Sequence, residues 1–244
     1  MCSPRMFLIC VAIVVTISNS PAQNINTAFE ISTGKLSDSL VTKLKEAKEQ
    51  QKNLYEDEKY VVRGTCSGEW GGSVRFKNKK TGIEHSSAAT CPVSVNHIGT
   101  KYFVTASLAH LSGSCEILEI SDPDSMEVFK MPPPRKKKGK REYRYVGDDE
   151  SKSSTGVHTL ITSYNALVLG SFVVNDQLFH IVTKNRETFI ASINDKDFQK
   201  IKLITNEDVF TYETQNIKVG EHLFVPIAVG YLEIVGRHVT ILRR

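Results

Sequence analysis

The chain is 244 residues long and 40% hydrophobic, with 31 Lys and Arg against 27 Asp and Glu and a formal net charge of +4. That balance is too even for the composition to demand a nucleic acid or an anionic membrane surface as partner. The length suits one all-β domain with a sizeable core.

The first residues, MCSPRMFLICVAIVVTISNSPAQ, place one Arg before an apolar run from Met6 to Ile17, followed by small residues up to Ala22. Charged, apolar and small segments in that order are the pattern of a secretory signal peptide, and the apolar run is short for a bilayer span. Cleavage is expected after Ala22, which removes Arg5 and leaves 30 basic against 27 acidic residues, a net charge of +3. The expected organisation is a signal peptide over 1–22, a linker and helix over 23–58, and a β domain over 59–244. The mature protein is expected to be exported, periplasmic or extracellular, with no transmembrane segment.

From Leu36 to Tyr55, LSDSLVTKLKEAKEQQKNLY keeps helical spacing of Leu36, Leu40, Leu44, Ala47 and Leu54. Ser37 or Asp38 is suited to accept backbone N–H bonds at its start, and Lys and Glu fill the opposite face, so an N-terminal amphipathic helix is expected.

Three cysteines follow the leader: Cys66, Cys91 and Cys115. In an exported chain the default use of a pair is a disulfide, and Cys66 and Cys91 flank the hairpin-like SVRFKNKKTGIEHSSAA, so a Cys66–Cys91 bridge is expected with Cys115 left over. Thiolate and imidazole also suit zinc, and His85 and His110 lie in the same region. The closely spaced ligand pairs of structural zinc sites are missing, however, and no metal or cofactor is expected. Gly64-Thr65-Cys66-Ser67-Gly68 has the spacing of a nucleophile elbow, but EWGGSVRF after it reads as a turn into a strand where an elbow needs a helix. Two loop residues are candidates for ligand contact: Trp70, in the Gly-rich turn, and His110, in SLAHLSGS between two strong strands, because function collects in loops at one end of a β scaffold.

The segment over 131–152 reads as a basic insertion. Three prolines lead into RKKKGKR, which is followed by Tyr143, Tyr145 and the acidic Asp148, Asp149 and Glu150. So charged a segment cannot offset its ordering entropy by burial, and an exposed loop is expected, with Glu142 to Val146 as an outer strand. Arg135, Lys136, Lys137, Lys138, Lys140 and Arg141 are candidate contacts for a polyanion. The other reading is a solvated connector whose charges answer the acidic run.

From Leu167 to Leu203, apolar runs VLGSFVV, QLFHIVT, TFIASIN and FQKIKL are separated by Asn-Asp, Lys-Asn-Arg and Asp-Lys, the signature of an antiparallel meander. A turn residue followed four positions later by Phe occurs at Gly99 and Phe103, Asn175 and Phe179, and Gly220 and Phe224. Each is followed by a second strand, in SCEILEIS, TFIASIN and GYLEIVG. Over roughly Tyr60 to Arg244 this pattern resembles the β-propeller-type repeat domains of exported proteins, without a Trp-Asp dipeptide or a recurring Gly-Gly pair. The resemblance implies a mainly β fold of antiparallel meander repeats, propeller-like; the alternative is an irregular β-sandwich of consecutive hairpins. Because strands are abundant and no nucleophile, acid–base pair or metal cluster emerges, the expected function is a non-catalytic binding module at the cell envelope or outside the cell, whose partner is an anionic polymer or another envelope protein. The alternative function is an envelope-polymer hydrolase with acids such as Glu69, Asp122, Asp124 or Asp208 assembled from distant loops.

Overall fold

The computed structural model describes residues 29–110, 113–136, 142–212 and 214–244. The expected signal peptide and four of the basic candidates, Lys137, Lys138, Lys140 and Arg141, lie outside the described residues. Among the described residues no helix is long and apolar enough to cross a membrane.

The chain begins with strand β1 (Glu30–Lys35) and helix α1 (Asp38–Gln50). The Ser37 hydroxyl accepts the Leu40 N–H and starts the helix, with Asp38 in its first turn. A first sheet follows from β2 (Tyr55–Glu56), β3 (Tyr60–Cys66), β4 (Gly72–Asn78) and β5 (Glu84–Ala88). A second sheet opens with β6 (Pro92–Ile98), β7 (Lys101–Leu108) and β8 (Ser114–Ile120). The short β9 (Glu127–Val128) then returns to pair with β5, and β10 (His158–Ser163) completes the second sheet beside β8. The third sheet is β11 (Leu167–Val174), β12 (Gln177–Lys184), β13 (Glu187–Asn194) and β14 (Asp197–Thr205), the four-stranded meander read from the sequence. The fourth is β15 (Ile217–Val219), β16 (His222–Ile227), β17 (Gly230–Val235) and β18 (His238–Arg243), to which β1 adds in parallel beside β18. The segment expected as linker and helix thus also supplies one strand to the fourth sheet and one to the first.

The hairpins follow from their turn residues. Asn175-Asp176, Asn185-Arg186 and Asp195-Lys196 all have φ between 48° and 65°, the left-handed pair that matches the twist of two-residue hairpins. Gly99 and Gly220, at φ 60°, open the corresponding turns of the second and fourth sheets. Phe103, Phe179 and Phe224 lie on the second strands of three successive sheets, as the spacing predicts. Phe179 and Phe224 are buried and Phe103 is only half-buried.

Packing is face to face in chain order. Val62, Val74 and Phe76 of the first sheet meet Val104, Leu118 and Ile120 of the second. The opposite face of the second sheet, carrying Cys115 and Ile117, meets Val168, Val182 and Phe189 of the third. The far face of the third, with Phe179, Ile181 and Ile190, meets Val225, Leu232 and Ile234 of the fourth. Side chains alternate between faces with period two, so a sheet buried on both sides needs the continuous apolar runs seen in the sequence. The two remaining outer faces are covered differently. Helix α1 lays Leu40, Leu44 and Ala47 over Ile217, Phe224 and Leu242 of the fourth sheet.

The outer face of the first sheet is polar and is capped by the end of the insertion. Burial of the Glu150 carboxyl opposes its charge, but hydrogen bonds from Ser67, Thr65 and Ser73 and the nearby Arg75 outweigh that penalty and hold it below its ordinary range. Arg75 donates to the Asp149 carbonyl at 2.9 Å. The insertion is therefore an anchored cover at its acidic end. The expected outer strand over Glu142 to Val146 is reduced to a single bridge between Arg135 and Tyr143.

Candidate functional site

In all four sheets the first strand of the meander, β2, β6, β11 or β15, lies at an edge. Residues from all four of these strands line one cavity of about 1000 Å³, closed on one side by the coil that follows α1. That volume is at the upper end of the roughly 300–1,000 Å³ of small-molecule sites. An edge strand leaves a row of N–H and C=O groups unpaired, so four such edges converge here.

Cross-links between the sheets define the site. Asn96 Nδ2 of β6 donates to the Ser171 carbonyl of β11 at 3.3 Å. Gln51, just past α1, donates from Nε2 to the Asn216 carbonyl at 2.9 Å and accepts from the Lys218 N–H at 3.1 Å, tying the start of the first sheet to the fourth. Asn216 sits among three sheets. Its Nδ2 donates to the Val93 carbonyl at 3.5 Å, and a Cβ added to Gly170 would lie 2.6 Å from that nitrogen. Gly170 is therefore where the third sheet makes room for the amide. Asn216 and Ser94 both line the cavity and are only 6% and 8% exposed, yet Asn216 Oδ1 and Ser94 Oγ have no protein hydrogen-bond partner.

The lining is uncharged inside and charged at the rim. Asn53, Ser94, Asn96 and Asn216 bring amides and a hydroxyl to the lining, while the exposed Lys52, Glu56, Lys218 and Glu221 mark the opening. On the side formed by the first two sheets, the His97 ring stacks on Tyr102 at 4.3 Å and 7°, and Tyr55 meets both rings edge-on. Tyr102 donates its hydroxyl to Asp57 at 2.7 Å; burial first and then this carboxylate push the phenol pKa well up.

Behind β11, Thr105, Ser171 and His180 form a chain of hydrogen bonds, each 2.7 Å. A Ser–His pair is the geometry of an activated nucleophile. Here Ser171 is 3% and His180 0% exposed, and no third group meets His180 Nε2 to orient the ring. Burial lowers the imidazole pKa to about 3, so the ring is neutral and the chain is an internal bracket between the second and third sheets.

Cys66 and Cys91 form the expected disulfide, but it joins the end of β3 to the residue before β6 and so ties the first sheet to the second. Cys115 is buried, and burial first of all pushes its thiol pKa up to about 12. Trp70 ends a short 3-10 turn, Gly68–Trp70, and is 61% exposed. His110 Nδ1 lies 3.6 Å from Glu69 of that turn, so the two loop candidates are neighbours, and neither lines the cavity. Arg135 pairs with Asp148 and stacks over Tyr145, and Lys136 pairs with Glu142. The four acids named for hydrolysis are engaged elsewhere than at the cavity. Asp122 caps the 3-10 turn Pro123–Ser125, Asp124 meets Lys59 at 3.1 Å, Asp208 accepts from Thr183 at 2.9 Å, and Glu69 faces His110. Among the described residues no cluster of His, Cys, Asp and Glu could hold a metal ion.

The cavity residues themselves carry no sequence signature, because amides and hydroxyls scattered one or two to a strand match no motif. Their only trace is position, on the strand that opens each meander. No protein-family model, curated protein or solved structure matches this chain.

Proposed function

We propose that this protein is an exported, non-catalytic binding module. Its four meanders form a propeller-like repeat in which α1 and Gln51 bridge the last sheet to the first, and a ligand enters the cavity where the opening strands converge. The observation that carries the reading is the cavity itself, about 1000 Å³, where residues of all four opening strands meet. A concave site with a few convergent polar groups is the form that a small-molecule binding site takes. Export is supported by the leader-like first 22 residues and by the Cys66–Cys91 bridge, which needs an oxidising compartment.

A thermal-shift screen of the full chain tests the site. A compound present at a hundred times its Kd stabilises the folded state by about 2.7 kcal/mol. Compounds that raise the Tm of the wild type and fail to raise that of Asn96→Ala and Lys218→Ala variants support binding in the cavity. Stabilisation that survives both substitutions moves the site elsewhere. Amino-terminal sequencing of protein recovered outside the cytoplasm is expected to begin at Gln23.

A further inference from the structure

We infer that the ligand of this cavity is a neutral, polyhydroxylated molecule, an oligosaccharide segment, which rests on the cavity being the binding site at all. Three features point to that class. The first is charge: the polar groups inside are amides and hydroxyls, and the rim sets Lys52 and Lys218 against Glu56 and Glu221. An anion would find no net field to replace its hydration.

The second is the hydrogen-bond pattern. Four edges converge, two of them no longer than three residues, and the cross-links between the sheets take some of their backbone groups. An extended peptide pairs along one straight edge; β2 and β15 are too short to serve as one, and on β6 and β11 the Val93 and Ser171 carbonyls are already taken by Asn216 and Asn96. A hydroxyl both donates and accepts, so a cluster of hydroxyls can answer an irregular ring of donors and acceptors from all four sheets.

The third feature is an aromatic wall. His97 lines the cavity with its ring held parallel to Tyr102, and Tyr55 supports both from the side. Such a rigid plane presents apolar area at low entropic cost to the C–H face of a sugar ring, while the amides opposite take its hydroxyls.

The test is nuclear magnetic resonance on the labelled full chain, following the side-chain amide signals of Asn216, Asn96 and Gln51. Three probes are added separately: a panel of neutral tetrasaccharides (chito-, cello- and manno-), a heparin tetrasaccharide, and tetra-alanine. The expected result is that one or more neutral sugars shift these signals, and that His97→Ala, a change on an exposed side chain of the lining, weakens the binding about tenfold. If only the heparin fragment or the peptide shifts them, the ligand class is overturned and the cavity stands as a site. If the bound probes shift only signals outside the cavity, or none binds at millimolar concentration, both the class and the site are overturned.

Discussion

Phe29 sits just before the first strand, yet its ring lies edge-on to Phe172 and Phe179, with centroids 5.9 and 5.0 Å away. Phe179 is 3% exposed in this cluster, and its replacement by Ala is expected to destabilise the fold by about 3–5 kcal/mol through lost burial and the cavity left behind. Phe103 occupies the corresponding turn-plus-four position on the second sheet but is half-buried, so Phe103→Ala should cost visibly less. Urea unfolding of the two variants side by side checks the difference, and equal losses would contradict it. His180 gives the second expectation at this scale. Its folded pKa is lowered from 6.5 to about 3 by burial, so the unfolded chain takes up a proton that the folded chain refuses. Stability is then fully present above about pH 6.5 and is lost as the pH falls towards 3. Glu150, also depressed, acts with the same sign below its ordinary range of 4.5. Denaturant midpoints measured across that window should fall with acid in the wild type, and His180→Gln should flatten the decline above pH 4.5.

Among the elements, the insertion over 131–152 is the one whose character changed most. Its acidic end is built into the first sheet: Glu150 is held by three hydroxyls, and Asp148 and Asp149 pair with Arg135 and Arg144. Arg135 is therefore part of the fold, clamped to Asp148 and laid over Tyr145. Substituting Lys136, Lys137 and Lys138 by Ser should leave the Tm unchanged, since Lys136 is exposed and pairs only with Glu142 at the surface. If the run holds an anionic polymer, the same substitutions should release the protein from heparin at lower salt, because the attraction is screened over about 10 Å at 0.1 M salt. Unchanged retention would place any anionic partner elsewhere. Lowering of the Tm by Arg135→Ser alone would separate the clamp from the three lysines.

At the level of the whole molecule, neighbouring sheets are joined by faces, edges and one covalent bond. The Cys66–Cys91 disulfide closes 25 residues and pins the first sheet to the second next to the cavity strand β6. By the chain-entropy estimate its reduction should cost about 3 kcal/mol. Thermal unfolding with and without a reductant, and of a Cys66→Ser, Cys91→Ser double variant, gives the measurement. Both should lower the Tm alike, and an unaltered Tm would mean that the faces alone hold the two sheets in place. Because the bond also steadies the wall made by β6, ligand affinity in the cavity should weaken on reduction even where the protein stays folded.

The sequence by itself determined most strands of the β domain, their hairpin turns and the helix. Left-handed pairs such as Asn175-Asp176 favour tight hairpins, apolar runs such as Phe189 to Ala191 set between such turns read as strands, and the Leu36, Leu40, Leu44 stripe specifies a helix with one packed side. Each of these rests on interactions within a few residues, and local interactions are what a linear pattern encodes. Tertiary structure alone decided which faces meet, that β1 would join β18 across the length of the chain, and that the disulfide would tie two sheets together. It also decided the candidate site. Gln51, Ser94, Asn96, Ser171 and Asn216 are ordinary polar residues far apart in sequence, and they acquire a shared meaning only when the packing order of four sheets brings their edges to one cavity.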